Sequence, residues 1–460
     1  MTCWQLVFCL LVVLSLPIQA GSGIIGDKDD RTEVVFPETP GSQYLGAVFY
    51  NGKLNGTGVL VGPRHMLSAA HVWAKAVGAD GKPVTKNVQF HLHYQKGKAT
   101  QVLTIDKVDY WHGYRSGDSG TKRDWVLAIL SEPVGLQFGW VDLVAQHPRD
   151  AVRIHSYGYG GLFKGEFTPS VASVHLNCQT YPNIQNDQTE MGQVATNCDG
   201  PPGSSGGPNL RQIRYANPTF KDRFQLLGIN TQYSNDFTYY LPSDVFYDQW
   251  LGSVAWRYEI EVLTRLKTFF KAVVEKINDS EKSSAIKQYL SKVDKDYELL
   301  SEAELHSYYH RTLGAGWKVK IHDYLRDLKH MGDLIQLPIS MYSLGATFDD
   351  EYAPLVVTKT DENSEARKAG LLPGDTITKI KGVWKADGED YEMQFPCLQQ
   401  LKIGMVGTRG KFTLSVRREK QSLSLNLELT AKSDEQVVKS LSENMEKIIS
   451  IGERYLPKEK

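Results

Sequence analysis

Net charge is nearly absent from this chain: 52 Lys and Arg against 53 Asp and Glu leave −1 over 460 residues. No global attraction to nucleic acid or to an anionic membrane is therefore expected. Membrane-length apolar runs are missing too. Leu6 to Leu16 is apolar but too short to span a bilayer, so no integral membrane span is expected. With Gln19-Ala20-Gly21 behind it, the run reads as a cleaved signal peptide over 1–20, although no Lys or Arg precedes it. That implies a secreted or extracytoplasmic protein. Cysteine is scarce, five in all, and losing Cys3 and Cys9 with the leader leaves Cys178, Cys198 and Cys397. No His and Cys set has metal-ligand spacing, and His91-Leu92-His93 reads as alternate positions of a strand. Neither metal nor cofactor is expected.

What is present is a length sufficient for about three domains, and a turn that suits a nucleophile, Gly203-Ser204-Ser205-Gly206-Gly207-Pro208. A seryl hydroxyl attacks only when a base takes its proton and a carboxylate orients that base. Upstream stand Leu67-Ser68-Ala69-Ala70-His71 and Asp124 followed by the apolar run Trp125 to Leu130. His71, Asp124 and Ser205 are the candidate catalytic residues. Gly203 and Gly206 let the backbone turn sharply, and the amides of Gly203 and Ser205 are the candidate oxyanion donors. Gly56 to Gly62 reads as a buried strand, and His65 to Ser68 as the short strand that delivers the histidine.

These segments, with Ile24-Ile25-Gly26, Pro133-Val134-Gly135, Cys198-Asp199 and Leu226 to Thr231, resemble the glutamyl endopeptidase branch of the trypsin-like serine proteases over about residues 22–252. The resemblance implies an all-β double barrel of chymotrypsin type, with protein or peptide substrates cleaved through an acyl-enzyme. It implies a Cys178–Cys198 bridge, leaving Cys397 as a buried apolar residue, and it makes Asp199, Asn230 and Thr231 the candidate substrate-binding residues. Gly200 and Asn230 replace a threonine and a histidine frequent in glutamate-cleaving relatives, so glutamate preference is not implied. Asp199 either favours basic side chains or is structural. Trypsin-like zymogens carry an Asp just before the nucleophile to pair with a freed amino terminus; Ser204 stands there and cannot form that ion pair.

Past Trp250 the pattern turns helical. Leu263, Leu266, Phe270, Val273 and Ile277 mark one stripe, Asp279 to Glu281 a second helix start, and Ser301 with Glu304 a capping box. Gly314-Ala315-Gly316 separates a further helix. Residues 253–337 read as a helical linker or bundle between functional domains. Residues 338–431 are similar to an α+β PDZ domain in the permuted order of HtrA-like proteases, on Ser343 to Phe348 and Ala366 to Ile377. That likeness implies an added peptide strand, its terminal carboxylate held near Leu344, Gly345 and Ala346, and a groove helix near Pro396 to Leu401. Residues 432–460 read as a terminal amphipathic helix. The sequence thus carries two functional readings: a serine endopeptidase, or a non-catalytic peptide-binding scaffold working through the PDZ-like groove.

Overall fold

Short strands punctuated by turn residues build the amino-terminal half. The computed structural model describes residues 24–26, 28–111, 121–163, 166–168, 170–184, 192–213, 223–274, 301–336, 342–350 and 352–455. The leader with Cys3 and Cys9, and the expected helix start at 279–281, lie outside them. The first barrel comprises β1 (Leu45–Tyr50), β2 (Lys53–Leu60), β3 (His65–Ser68), β4 (Val88–Leu92), β5 (Gln101–Trp111) and β6 (Val126–Leu130). They pair in the order β1-β2-β3-β6-β5-β4 and back to β1, a closed barrel. Alternation is clear in β4, where Val88, Phe90 and Leu92 are buried between half-exposed neighbours.

The second barrel takes β7 (Arg153–Gly158), β8 (Ser173–Tyr181), β9 (Val194–Thr196), β10 (Pro208–Ile213), β11 (Arg223–Tyr233) and β12 (Thr238–Pro242). Their order is β8-β9-β12-β11-β10-β7, and pairing of β7 with β8 closes the ring. This is the expected chymotrypsin-type double barrel. Cys178 on β8 is bonded to Cys198 just past β9, bridging 20 residues. Cys397 is buried and outside the disulfide.

The helix that ends the barrels does not stop at 252. Tyr247–Trp250 runs through a wider turn, Leu251–Ala255, into α1 (Trp256–Val274). Trp250, Leu251, Val254 and Ala255 are all buried, and Trp250 Nε1 donates to the Val61 carbonyl at 2.6 Å. α2 (Glu302–Leu313) starts on the expected capping box, with Ser301 Oγ accepting from the Glu304 amide. α3 (Trp317–Gln336) follows Gly314 and Gly316. One hydrophobic cluster runs without a break from the barrels through Leu263, Leu266, Tyr309, Ile321 and Leu325. His322 on α3 is the polar link: its Nε2 accepts from the Leu143 amide at 2.7 Å and its Nδ1 lies 2.6 Å from Asp142. Its ring stacks on Trp250. The segment expected as a helical linker or bundle is packed onto the two barrels.

Glu259 ties the helices together. It is fully buried on α1 and accepts hydrogen bonds from Tyr308 of α2 at 2.5 Å and Tyr324 of α3 at 2.6 Å. Loss of water around it pushes its carboxyl up to about 7, against the opposing pull of those hydroxyls.

The carboxyl-terminal sheet comprises β13 (Ala346–Phe348), β14 (Leu355–Thr360), β15 (Thr376–Val383), β16 (Asp390–Gln394), β17 (Lys411–Arg418) and β18 (Gln421–Glu428), ordered β13-β14-β15-β17-β18 with β16 also on β15. The helix α4 (Leu398–Gly407), longer and later than the 396–401 expected, packs Leu401 and Met405 with Ile377, Ile380 and Leu414. The module sits against the barrels: the Ala353 amide donates to Gln137 O at 2.7 Å, Gln137 Nε2 donates to Phe395 O at 2.8 Å, and Arg417 pairs with Glu38 at 2.5 Å. A cleft of about 410 Å³ remains along this seam, between Tyr44 and Phe138 on one side and Tyr352 and Arg417 on the other. The chain then returns: α5 (Asp434–Glu453) buries Met445, Ile448 and Ile451 in the cluster of α3. Among the described residues no helix is long and apolar enough to cross a membrane.

Candidate active site

β3 ends at Ser68, and the short helical turn Ala70–Ala76 carries His71 from it. Asp124 precedes β6, whose run Val126–Leu130 is buried at every position, so the carboxylate is carried to the barrel mouth. Trp125 locks this entry by stacking on Tyr110 at 4.1 Å. The Asp124 carboxylate has no exposed surface and holds His71 twice. It accepts from the His71 backbone amide at 2.9 Å, and its oxygens lie 2.9 and 3.1 Å from Nδ1. An ionised carboxylate only accepts, so Nδ1 carries the ring proton and Nε2 is left as the basic nitrogen.

The turn from Gly203 to Gly207 comes from the second barrel and is clasped by the first. Gly203 and Gly206 have φ of +99° and +80°, the left-handed region glycine tolerates. A Cβ on Gly206 would lie 2.2 Å from Thr57 O, and one on Gly203 2.3 Å from Tyr159 O. These glycines permit both the turn and the close approach of backbone from each barrel. Among the described residues, the amide N–H groups of Gly203 and Ser205 donate to no protein group.

The candidate substrate-binding residues are distributed differently. Asp199 is 4% exposed and both its oxygens are engaged, accepting from the Ile25 amide at 2.8 Å and the Asp30 amide at 3.0 Å. It ties the amino-terminal segment to the stretch between β9 and the turn, which favours its structural reading. Asn230 lies inside the second barrel, accepting from Asn209 Nδ2 at 2.7 Å and donating to Ser156 Oγ at 3.1 Å. Its backbone pairs with Gly206 and Gly207, bracing the turn from behind. Thr231 forms a bulge in β11 and its hydroxyl accepts from Gln193 Nε2 at 2.7 Å. Leu344, Gly345 and Ala346 lie in the carboxyl-terminal module, where Leu344 O accepts from the Ala366 amide and Gly345 O from the Asp361 amide.

Sequence reasoning missed Thr57 and Ser68. Both are fully buried, and Ser68 Oγ donates to Thr57 O at 2.7 Å. The available signal was a hydroxyl between glycines, Gly56-Thr57-Gly58, within a strand otherwise running into Val59-Leu60-Val61.

Residues 35–238 match the family model described as Trypsin. No curated protein matches the chain. A solved Glu endopeptidase in complex with MPD is similar at 16% identity and a TM-score of 0.37, over 50% of this chain and 97% of its own. The protease Anisep from Arthrobacter nicotinovorans is similar at 18% identity and a TM-score of 0.33, over 44% of this chain and 90% of its own. The matched span takes in the first barrel, both segments that meet at His71 and Asp124, and the turn from Gly203 to Gly207. Residues 35–238 are thus a trypsin-like serine protease domain, and the chain that carries it is a serine endopeptidase.

Proposed function

We propose that this endopeptidase is secreted and cleaves protein or peptide substrates with Ser205 as nucleophile, His71 as base and Asp124 as its orienting acid. In this reading His71 Nε2 takes the Ser205 proton as Oγ attacks the scissile carbonyl. The Gly203 and Ser205 amides receive the oxyanion. His71 then protonates the leaving amine, and water repeats the attack on the acyl-enzyme. The observation that carries the reading is the double hold of fully buried Asp124 on His71, on the barrel against which the glycine turn is clasped. Asp199 and the side chains of Asn230 and Thr231 serve as braces, their polar atoms being engaged by protein groups. The Cys178–Cys198 bridge is consistent with an oxidising compartment.

A fluorophosphonate probe tests the assignment. Ser205→Ala should lose labelling and should lose hydrolysis by on the order of 10⁴–10⁶, with an unchanged circular dichroism spectrum. Retained peptidase activity in that variant overturns it.

The carboxyl-terminal sheet is read as a PDZ-like module that takes a peptide carboxyl terminus beside β13. Two observations support this. β13 ends the strand order. The Leu344 and Gly345 carbonyls are held inward, and in trans peptides this turns the Gly345 and Ala346 amides the opposite way, toward a carboxylate. Titrating a peptide with a free carboxyl terminus against its amidated twin checks it: equal binding, or none by either, refutes the groove.

A further inference from the structure

We propose that Thr57 is a positioning residue for catalysis: its hydroxyl, reaching across from the first barrel, sets the backbone of the nucleophile turn so that the oxyanion donors face the substrate. The inference rests on the Ser205 reading and adds a residue and a mechanism to it.

The carbonyls of four successive peptide units, Pro202 to Ser205, are each held by a hydrogen bond. In a trans peptide the N–H points opposite to the C=O of the same unit, so whatever holds the carbonyl aims the amide. Pro202 O accepts from the Gly161 amide at 2.6 Å, which aims the Gly203 N–H. Ser204 O accepts from the Gly207 amide at 2.8 Å, which aims the Ser205 N–H. The two carbonyls alternating with these are both held by Thr57. Gly203 O accepts from Thr57 Oγ1 at 3.0 Å, and Ser205 O from the Thr57 amide at 2.8 Å. The second barrel therefore aims the donors, while the first barrel, through this one residue, holds the units between them.

The hydroxyl does more than donate. Oγ1 accepts from the Tyr159 amide at 3.0 Å, so both its hydrogen-bonding roles are filled by second-barrel backbone. Tyr159 O is also the atom that a Cβ on Gly203 would strike. Thr57 Oγ1 thus spans the two backbone stretches that enclose Gly203, whose φ of +99° leaves the unit after it without the usual steric restraint. Thr57 O accepts from Ser68, at the end of the strand that delivers His71. One buried side chain joins the base-bearing strand to the nucleophile turn. Catalysis by aimed dipoles depends on their orientation being set before reaction, and Thr57 steadies it from the opposite barrel by holding the units on either side of the Ser205 donor.

Thr57→Val keeps shape and β-branching but removes the hydroxyl. It should lower kcat by roughly ten- to hundredfold, less than the ~10²–10³ expected for outright loss of an oxyanion donor, while KM changes by no more than about threefold. The pH dependence of kcat should keep its wild-type midpoints, since His71 and Asp124 are untouched. Thr57→Ser, which restores the hydroxyl, should recover most of the lost kcat. If the valine chain does not fold, Thr57→Cys, a weaker donor of similar size, should show the same loss of kcat with KM maintained. A wild-type kcat in the valine or cysteine variant overturns the proposal, as does an equal loss in Thr57→Ser. Ser205→Ala run alongside separates the two levels. An active alanine variant removes the Ser205 reading itself, whereas an inactive one beside an unimpaired Thr57→Val removes only the role of Thr57.

Discussion

Glu259→Gln should abolish an unusual pH dependence of stability. One pKa unit corresponds to about 1.4 kcal/mol. The rise of Glu259 from 4.5 to about 7 therefore makes its protonated form favour the folded state by roughly 3 kcal/mol relative to the ionised form. The carboxyl lies wholly inside the three-helix junction, so solvent screening does not reduce this figure. A carboxyl raised on folding contributes fully below its unfolded pKa. Between 4.5 and about 7 the unfolded chain has released the proton and the folded chain still holds it, so stability falls as pH rises, and above about 7 the contribution is gone. Gln keeps an acceptor for Tyr308 and Tyr324 and cannot ionise. Urea unfolding of both chains from about pH 4 to about pH 8, followed by ellipticity and by tryptophan fluorescence, isolates the effect, because other titrating groups cancel in the difference. Wild-type stability relative to the variant should fall by roughly 3 kcal/mol across the window. A difference that stays level, or one that grows with pH, refutes the reasoning.

Replacing Cys178 and Cys198 by Ser removes the bridge over 20 residues and should cost about 3 kcal/mol; a urea midpoint equal to that of the oxidised wild type would contradict this. His322→Ala leaves the Leu143 amide without its buried acceptor, at a cost of about 1–3 kcal/mol, and faster hydrogen exchange at Leu143 and along α3 is the expected signature. Forms beginning at Gly21 and at Ile24 should hydrolyse the same peptide at similar rates. Ser204 Oγ already donates to Pro201 O at 2.8 Å, and both Asp199 oxygens already accept backbone amides. A hundredfold gain or more at Ile24, set against the roughly 1 kcal/mol of a neutral hydrogen bond, would show that the amino terminus switches the site on.

What was legible in the sequence is what local chemistry dictates. Gly203 and Gly206 announce a turn no other residue enters cheaply, the run after Asp124 announces a buried strand, and Ser301 with Glu304 announces a helix start. Each signal lies within a few neighbouring residues, so periodicity and turn preference suffice to read it. The Cys178–Cys198 pairing came only through resemblance, since spacing alone does not choose among three thiols. What only the tertiary structure decided are contacts between segments far apart in the chain. Nothing near position 57 says that its hydroxyl meets Gly203, and nothing near 322 says that it meets Leu143. Glu259 reads locally as an ordinary polar helix residue, and becomes a buried acid because α2 and α3 cover it. Asp199 reads as either a pocket charge or a structural residue, and only the amides of Ile25 and Asp30 that occupy it favour the second. The apolar stripe on α1 calls for a partner without naming one, because the hydrophobic effect rewards buried area and has no direction. That Leu263 and Leu266, the stripe residues whose side chains are described, join the one cluster shared by the barrels and α3 was decided by shape and by the few polar groups that had to be satisfied once water was gone.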